Sequence, residues 1–291
     1  MTAHPEPPLV RFAREYGWRA YAIPVLLVIT IWVFVDVVRG TGEQETGEAA
    51  RTSVASANEA TPSRGNGPVP ADAKPINLPT GELPVGGAFT EAGDKSYRIV
   101  GNPGPKVGEG REQAVTYVVE VENGVDTAAY GGDAAVAAMV DATLSNPMSW
   151  TKDPAFSFQH VRAEDNPTLR IQLTSVGTTH ELCGQDIAME TSCFTSDGQR
   201  VVLNESRWVR GAITAQGDIG SYRQYLINHE VGHALGFAGH AACPQSGELA
   251  PIMMQQTLSL NNSELHQLDP NEAYPDDQMT CEFNPWPFPR P

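Results

Sequence analysis

Apolar and polar residues follow two different periods along the C-terminal two thirds of the chain. Alternation or a high content of β-branched residues is typical of strands. These features occur in four stretches: residues 115–121 (VTYVVEV), 156–161, 169–174 (LRIQLT) and 200–209. The pattern therefore predicts at least four strands, and residues 201–204 are expected to offer a strand edge to an extended peptide.

Helical spacing of apolar residues replaces this alternation in two places. Residues 133–144 are predicted to form a helix with Asp133 as its N-cap. A second helix is predicted for residues 222–235, with Ser221 as its N-cap and Gly236 at its end. Strands with interspersed helices predict an α+β fold.

Composition divides the chain into a linker and a folded domain. Residues 39–85 contain six prolines, six glycines and no aromatic residue. Such a segment buries too little apolar surface to offset its chain entropy, so we expect a disordered tether. Aromatic residues and periodicity return at about Gly86, and residues 86–291 are therefore the predicted α+β domain.

One apolar run near the N-terminus is long enough to cross a membrane. Residues 21–38 (YAIPVLLVITIWVFVDVV) carry a single charge, Asp36, and a helix of this length spans about 27 Å. Arginines precede the run and glutamates follow it. This asymmetry predicts a retained signal-anchor with residues 1–20 in the cytoplasm and the domain outside. A cleaved signal peptide and a buried core helix are the alternatives.

The net charge of the chain limits the classes of molecule that it is expected to bind. Lys and Arg number 19 against 35 Asp and Glu, which gives a formal net charge of −16 at pH 7. Such a field repels phosphate backbones, so nucleic-acid binding is not expected. Because 41% of the residues are hydrophobic, the chain has enough apolar material for a sizeable core.

All four cysteines fall in the part of the chain predicted to lie outside the cell. An even number in an oxidising compartment favours two disulfides, although four cysteines allow three pairings and free buried thiols are an alternative. We expect Cys183 to pair with Cys193 as a local staple. Cys243 and Cys281 would then tie the C-terminal tail to the region after the second helix.

The predicted second helix carries the motif with the clearest chemistry, His229-Glu230-Val231-Gly232-His233. Positions i and i+4 lie on one helical face, so both imidazoles can reach a single metal ion. Glu230, next to the first histidine, can then contact a water molecule at the metal. The motif predicts one Zn²⁺ per chain, with His229 and His233 as ligands and Glu230 as the catalytic residue.

A third ligand follows within seven residues of the motif. Gly236 lets the chain leave the helix in a left-handed conformation and return His240 towards the metal. Three protein ligands leave the open position of a catalytic zinc. Further on, Met253 in the stretch APIMM is expected to pack beneath the imidazoles.

With these residues the chain resembles the metzincin clan of zinc metalloproteases, through HEVGHALGFAGH and the Met-turn PIMM. Residues 217–254 and the tail FNPWPFP are also similar to an actinobacterial family of secreted or membrane-anchored predicted metallopeptidases of unassigned function. The resemblance implies a metzincin-like domain with a twisted mixed sheet and an active-site helix. It also implies an irregular C-terminal subdomain that carries the Met-turn.

The third ligand departs from the pattern of the clan. The clan position is occupied by Gly239, and His240 lies one residue later. We expect the flexible Gly239 to absorb the extra residue so that His240 binds the metal. The open alternatives are three other histidines and two carboxylates: His160, His180, His266, Glu248 and Asp269.

The predicted function is a membrane-anchored extracellular zinc metalloendopeptidase that acts on a peptide or protein substrate. Glu230 would act as general base and then as general acid. Gln255, Gln256 and Thr257 follow the Met-turn, so no tyrosine from that turn is expected to assist the oxyanion. The acidic residues 269–277 are interpreted as a solvated loop. The alternatives are a non-catalytic cell-surface binding domain with a structural zinc and a hydrolase of cell-wall peptides.

Overall fold

The computed structural model describes residues 25, 27, 28, 30, 31, 78–184 and 189–290. The chain divides into two compact units, residues 1–69 and 70–291. The described positions of the predicted membrane span are helical. The rest of that span, the cytoplasmic segment 1–20 and most of the predicted linker lie outside the described residues. Within the described part, no helix is both long and apolar enough to cross a membrane.

Seven strands of the described chain form a mixed sheet in the second unit. They are β1 (Tyr97–Val100), β2 (Val107–Gly108), β3 (Gln113–Glu122), β4 (Phe156–His160), β5 (Leu169–Thr174), β6 (Cys193–Thr195) and β7 (Arg200–Asn204). The order across the sheet is β2-β4-β3-β5-β7-β6, and β1 pairs with the second half of β3. Strands β4, β3, β5 and β7 run parallel, whereas β1, β2 and β6 are antiparallel to their neighbours. The mixed sheet confirms the coarse prediction of fold class.

Among the described residues of the second unit, five α-helices accompany the sheet. They are α1 (Gly132–Leu144), α2 (Val176–Cys183), α3 (Glu205–Arg210), α4 (Ile219–Ala234) and α5 (Asn262–Leu268). Residues of α1 and α4 share one apolar core with the odd-numbered positions of β3 and β5, including Val119, Ile171, Val140 and Leu226. These positions share a face because successive strand residues point to opposite sides of the sheet. The sheet and α1 therefore form the platform that holds α4.

Two predicted features of the elements are wrong. The predicted strand 200–209 ends at Asn204, because the Asn204 side chain accepts a hydrogen bond from the Ser206 amide and starts α3. Asp133 does not cap α1, whose N-cap is Gly131. Asp133 instead forms an ion pair with Arg98, at 2.7 Å between Oδ2 and Nε.

Helix α4 begins earlier than predicted. Its N-cap is Asp218 rather than Ser221, and the Asp218 carboxylate accepts hydrogen bonds from the amide (3.0 Å) and the hydroxyl (2.7 Å) of Ser221. These bonds lower the pKa of Asp218. The cap therefore stays charged at neutral pH and satisfies donors that the first turn leaves unpaired.

The C-terminal part of the unit is irregular and has its own small core. Helix α5 and two isolated β-bridges are its regular elements within the described residues. Cys243 and Cys281 are disulfide-bonded and pack in a buried cluster with Met254, Leu265 and Tyr274. The second disulfide joins Cys183, the last residue of α2, to Cys193, the first residue of β6. Both predicted disulfide pairs are therefore confirmed.

The described end of the predicted linker packs against the domain. The buried Arg207 guanidinium donates hydrogen bonds to the carbonyls of Gly81 and Glu82. The Gly81 amide in turn donates to the Leu258 carbonyl (3.2 Å). The packed chain therefore begins a few residues before the predicted boundary at Gly86.

Candidate metal centre

Helix α4 is held on several sides before it reaches the histidines. The Tyr225 hydroxyl donates to the Met254 carbonyl (2.9 Å) and accepts from the Gln256 amide (2.8 Å). On another side, the Trp150 indole N–H donates to the Asn228 carbonyl (2.9 Å). Because these partners come from distant segments, the position of the helix is fixed relative to the turn that contains Met254.

The helix ends in a Schellman motif. Gly236 has a left-handed backbone (φ 102°), and its amide bonds to the His233 carbonyl while the Phe237 amide bonds to the Gly232 carbonyl. The turn that Gly236 makes confirms its predicted role. Gly239 is different: its φ is not positive, and a Cβ there would meet no atom within 4 Å. That Gly239 absorbs the extra residue stays a prediction.

The three predicted histidines come together at the C-terminal end of α4. One ring nitrogen from each of His229, His233 and His240 lies within 4.8 Å of the others. Each Nδ1 is already held by an acceptor, which is the Ile252 carbonyl (2.9 Å), the Phe237 carbonyl (2.8 Å) and the Glu272 carboxylate (3.1 Å), respectively. The Nε2 atoms are therefore the ones left for a shared ligand.

Burial makes this cluster suited to a metal cation. His229 is 1% exposed, and its Nε2 has no hydrogen-bond partner among the described residues. Burial, followed by the neighbouring imidazoles, lowers the pKa of His229 far below its usual value and lowers the pKa of His233 as well. A buried imidazole whose Nε2 has no partner, with two more imidazoles beside it, fits zinc, for which a set of three histidines is a known catalytic arrangement.

Glu230 lies beside the histidines and faces the same cavity. The residue is 2% exposed, and burial raises the pKa of its carboxyl to about 8. Its position one residue after His229 places it on the helix turn that carries the first histidine of the group. A carboxyl that exchanges its proton near neutral pH is suited to general acid–base chemistry.

The predicted Met-turn contacts the helix just before His233. Met253 is 6% exposed. Its Sδ packs so closely on Gly232 that a Cβ added there would clash with it. The preceding carbonyl, from Ile252, accepts the hydrogen bond from His229. The turn thus supports both the helix backbone and the first imidazole. The role of Met253 as a floor beneath all three imidazoles stays a prediction.

The other predicted ligands lie elsewhere or outside the histidine group. His160 bonds to Asp141 of α1 (2.9 Å), and His180 faces Glu190 (3.2 Å). His266 donates to the Tyr274 carbonyl (2.9 Å). The clusters found among the described residues include neither Glu248 nor Asp269, although Asp269 lines the same cavity.

The histidines open into a cavity of about 730 Å³ between the sheet and the irregular C-terminal part. Cys193 and Phe194 of β6 line it on one side. Strand β6 is the outermost strand at this end of the sheet, and β7 lies between β5 and β6. The edge that residues 201–204 were expected to offer is therefore covered, and β6 takes that place.

Two residues of the site were missed in the sequence. Glu272 bonds to His240, and the Tyr274 ring stacks on the same imidazole with centroids 6.2 Å apart. The Tyr274 hydroxyl accepts a hydrogen bond from the Gln255 amide (2.9 Å). Both lie in the acidic stretch 269–277, whose composition indicated only a solvated loop. No local pattern identifies them, because the contact spans 32 residues of irregular chain.

The C-terminal tail closes around the turn after the methionines. The Gln256 side chain bonds to both the amide and the carbonyl of Asn284, each at 2.9 Å. The Asn284 side chain bonds to the carbonyls of Ala250 and Trp286. Through these contacts, the QQT after the methionines and the FNPWPFP tail form one structural unit.

Comparison with known proteins gives one assignment. No curated protein matches the chain, and no solved structure matches it. The family described as "Protein of unknown function (DUF3152)" matches residues 83–289. This range contains the whole sheet, the three histidines and Glu230, and it covers more than half of the chain. The chain therefore belongs to this family of unknown function.

Proposed function

We propose that this protein is a zinc metallopeptidase with His229, His233 and His240 as metal ligands and Glu230 as general base. The observation that carries the proposal is the convergence of three ring nitrogens within 4.8 Å beside a buried carboxyl. The three Nδ1 atoms have their own acceptors, which is the arrangement that orients imidazoles for a metal.

The chemistry follows from the placement of these groups. Zinc, when bound, supplies Lewis-acid polarisation of water and of the scissile carbonyl. The Glu230 carboxylate accepts a proton from the attacking water and passes it to the leaving amine. Its buried position keeps bulk water away from the proton transfer and strengthens the interaction between the carboxylate and its partner.

The shape of the site supports a peptide substrate. A cavity of about 730 Å³ can hold several side chains, and it is flanked by the antiparallel edge strand β6. An extended peptide can pair with such an edge through main-chain hydrogen bonds. The apolar side chains of Leu258, Leu265 and Leu268 would then contact the substrate within the cavity.

A metzincin-type arrangement is the form of this proposal that accounts for most residues. It is supported by the glycine turn after the second histidine, the nearby third histidine and the methionine turn against Gly232. The mixed sheet and the irregular C-terminal part are compatible with it. A site completed by a distant carboxylate is not favoured, since the third member of the group is His240.

We also propose that the domain works outside the cytoplasm, anchored through residues 21–38. The two disulfides support this location, because such bonds persist in oxidising compartments and are rare in reducing ones. The orientation is tested by adding a protease to intact cells and to lysed cells. A domain outside the cytoplasm should be digested in both samples, whereas a cytoplasmic domain should be digested only after lysis.

The test of the metal site uses the purified full-length chain. Elemental analysis should find one zinc per chain, and His240→Ala should lose most of it because the group then keeps two ligands. Zinc at near-wild-type affinity in His240→Ala would exclude this residue as a ligand. No zinc in the wild-type protein would overturn the proposed function.

The test of catalysis uses Glu230→Gln, which removes the proton acceptor and no metal ligand. Cleavage of a quenched-fluorescence peptide library should fall by about 10²-fold or more, while the zinc content stays at one per chain. A wild-type protein that holds zinc but cleaves no peptide would instead be a binding domain with a structural metal.

A further inference from the structure

We propose that Glu272 is a positioning residue that fixes the ring orientation of His240 and thereby completes the metal centre. This inference rests on the proposed metal function. Its direct observation is the hydrogen bond from His240 Nδ1 to Glu272 Oε2, at 3.1 Å. A carboxylate that accepts from the second nitrogen of a metal-binding imidazole sets its tautomer and raises its basicity.

The three histidines differ in how their second nitrogen is held. His229 and His233 donate to backbone carbonyls, those of Ile252 and Phe237. Both also lie on α4, whose backbone limits their rotamers. His240 lies outside the helix, and its acceptor is a side chain. Of the three acceptors, Glu272 is therefore the one that a substitution can remove.

Stacking alone leaves the orientation of His240 open. The His240 ring stacks on the His229 ring, with an interplanar angle of 15° and centroids 5.5 Å apart. It also stacks on the Tyr274 ring, with an angle of 23° and centroids 6.2 Å apart. Parallel contacts define the plane of an imidazole but not which edge faces the cavity, because a half-turn about χ2 keeps the ring plane and exchanges its two edges. The bond to Glu272 selects the orientation in which Nε2 points towards the other two histidines.

The segment that carries Glu272 is anchored to α5. The Tyr274 carbonyl accepts a hydrogen bond from His266 of that helix (2.9 Å). At its start, the Asp269 amide donates to the Leu265 carbonyl (3.1 Å). The Tyr274 hydroxyl is held by Gln255 beside the Met-turn. The acidic stretch is thus attached at both sides of Glu272, which keeps the carboxylate within reach of His240.

The experiment measures zinc affinity of the full-length chain by competition with a chromophoric chelator. Glu272→Ala should raise the zinc Kd by about 10- to 100-fold, the usual effect of losing such an acceptor. Glu272→Gln should lose less, because its amide oxygen can still accept from Nδ1. This partial rescue separates a lost hydrogen bond from a lost side chain.

Asp269→Asn is the matched control. It removes one negative charge from the same cavity. The Asp269 carboxylate accepts hydrogen bonds from Asn271, and among the described residues no hydrogen bond or ion pair joins it to a histidine of the group. Its zinc Kd should stay within about threefold of wild type if the effect at Glu272 comes from the hydrogen bond rather than from the cavity's overall charge. Equal losses in Glu272→Ala and Asp269→Asn would overturn the positioning role.

A second readout is the visible absorption spectrum of the Co²⁺-loaded proteins. A reoriented His240 changes the coordination geometry, so Glu272→Ala should shift the d–d bands and Asp269→Asn should not. Far-ultraviolet circular dichroism of the metal-free proteins shows whether each variant is folded. Wild-type protein that binds no zinc would overturn the metal function together with this inference. Wild-type binding with an unchanged Glu272→Ala would overturn the inference alone.

Discussion

At the scale of single residues, α4 has no room for a side chain where it crosses the Met-turn. A Cβ on Gly232 would lie 2.4 Å from Met253 Sδ and 2.8 Å from Trp150 Cζ2. The thioether can move, whereas the indole is fixed by its bond to Asn228 and by stacking on Phe237. The packing therefore requires glycine at position 232, inside the motif that is proposed to bind the metal.

Gly232→Ala should destabilise the protein despite its better helix propensity. Alanine gains up to about 1 kcal/mol in a helix interior, but overpacking a core costs about 1–3 kcal/mol. We expect a net loss of about 1–2 kcal/mol in the free energy of unfolding. Urea denaturation of the metal-free chain measures it without a contribution from bound zinc.

Gly220→Ala is the matched control for this prediction. It lies in the first turn of the same helix, and its added Cβ would meet only Asp218 Oδ1 at 3.4 Å, an ordinary contact. The free energy of unfolding should stay the same or rise slightly. A Gly232→Ala protein as stable as Gly220→Ala would show that Met253 and Trp150 yield without cost.

The sequence alone predicts some residues of the site and not others. The i and i+4 histidines and the adjacent glutamate follow from helix geometry alone, and Gly236 predicts the turn that returns His240. Glu272 does not follow, because nothing in residues 269–277 indicates a contact with a loop 32 residues earlier. Such acceptors are set by tertiary packing of irregular chain, for which there is no period to detect.

At the scale of elements, α4 depends on a cap that precedes the proposed metal ligands by more than ten residues. Asp218→Ala removes both hydrogen bonds to Ser221 and should lower the free energy of unfolding by about 1 kcal/mol at neutral pH. Asp218→Asn keeps an acceptor for the Ser221 amide and should lose much less. Chemical denaturation of the three proteins measures the differences.

The same cap predicts a pH dependence with a definite sign. Hydrogen bonds from Ser221 lower the pKa of Asp218 in the folded state. Its stabilisation is therefore fully present above the unfolded pKa, near 3.8, and is lost as the pH falls through the folded pKa. The gap between wild type and Asp218→Asn should narrow in that acid range. A gap that stays constant down to pH 2 would contradict the charged cap.

The elements also show why some sequence predictions succeed and others fail. The predicted strands in the middle of the sheet lie where expected, because both of their faces are covered and their sequences are rich in apolar residues. The run 200–209 was misassigned after Asn204, where a side-chain bond to Ser206 and the buried Arg207 favour helix over continued strand. Tertiary contacts overrode local β propensity at that point.

At the scale of the whole molecule, buried hydrogen bonds join helix α4 to the irregular C-terminal part on the other side of the cavity. Tyr225 connects α4 to the Met-turn, and Gln256 connects that turn to Asn284 in the tail. The Cys243–Cys281 disulfide closes the irregular part independently of these hydrogen bonds. The site is therefore built from segments that are far apart in sequence but linked by buried contacts, which favours a preformed cavity.

Under the proposed peptidase function, the charge of the molecule affects which peptides reach that cavity. The formal net charge is −16. The described residues that line the cavity include Asp269 and Glu272, and none of them is a lysine or an arginine. Such a field raises the local concentration of cations and lowers that of anions. We therefore expect peptides that carry lysine or arginine to be cleaved faster than acidic peptides of the same length and core sequence.

Ionic strength tests this expectation with three matched peptides, one cationic, one neutral and one acidic. Between about 0.01 M and 1 M salt, the Debye length falls from about 30 Å to 3 Å, so the long-range part of the field is removed. The kcat/KM for the cationic peptide should fall by about threefold to tenfold, that for the acidic peptide should rise, and that for the neutral one should change little. A common salt dependence for all three would mean that salt acts on the protein itself rather than on the approach of the substrate.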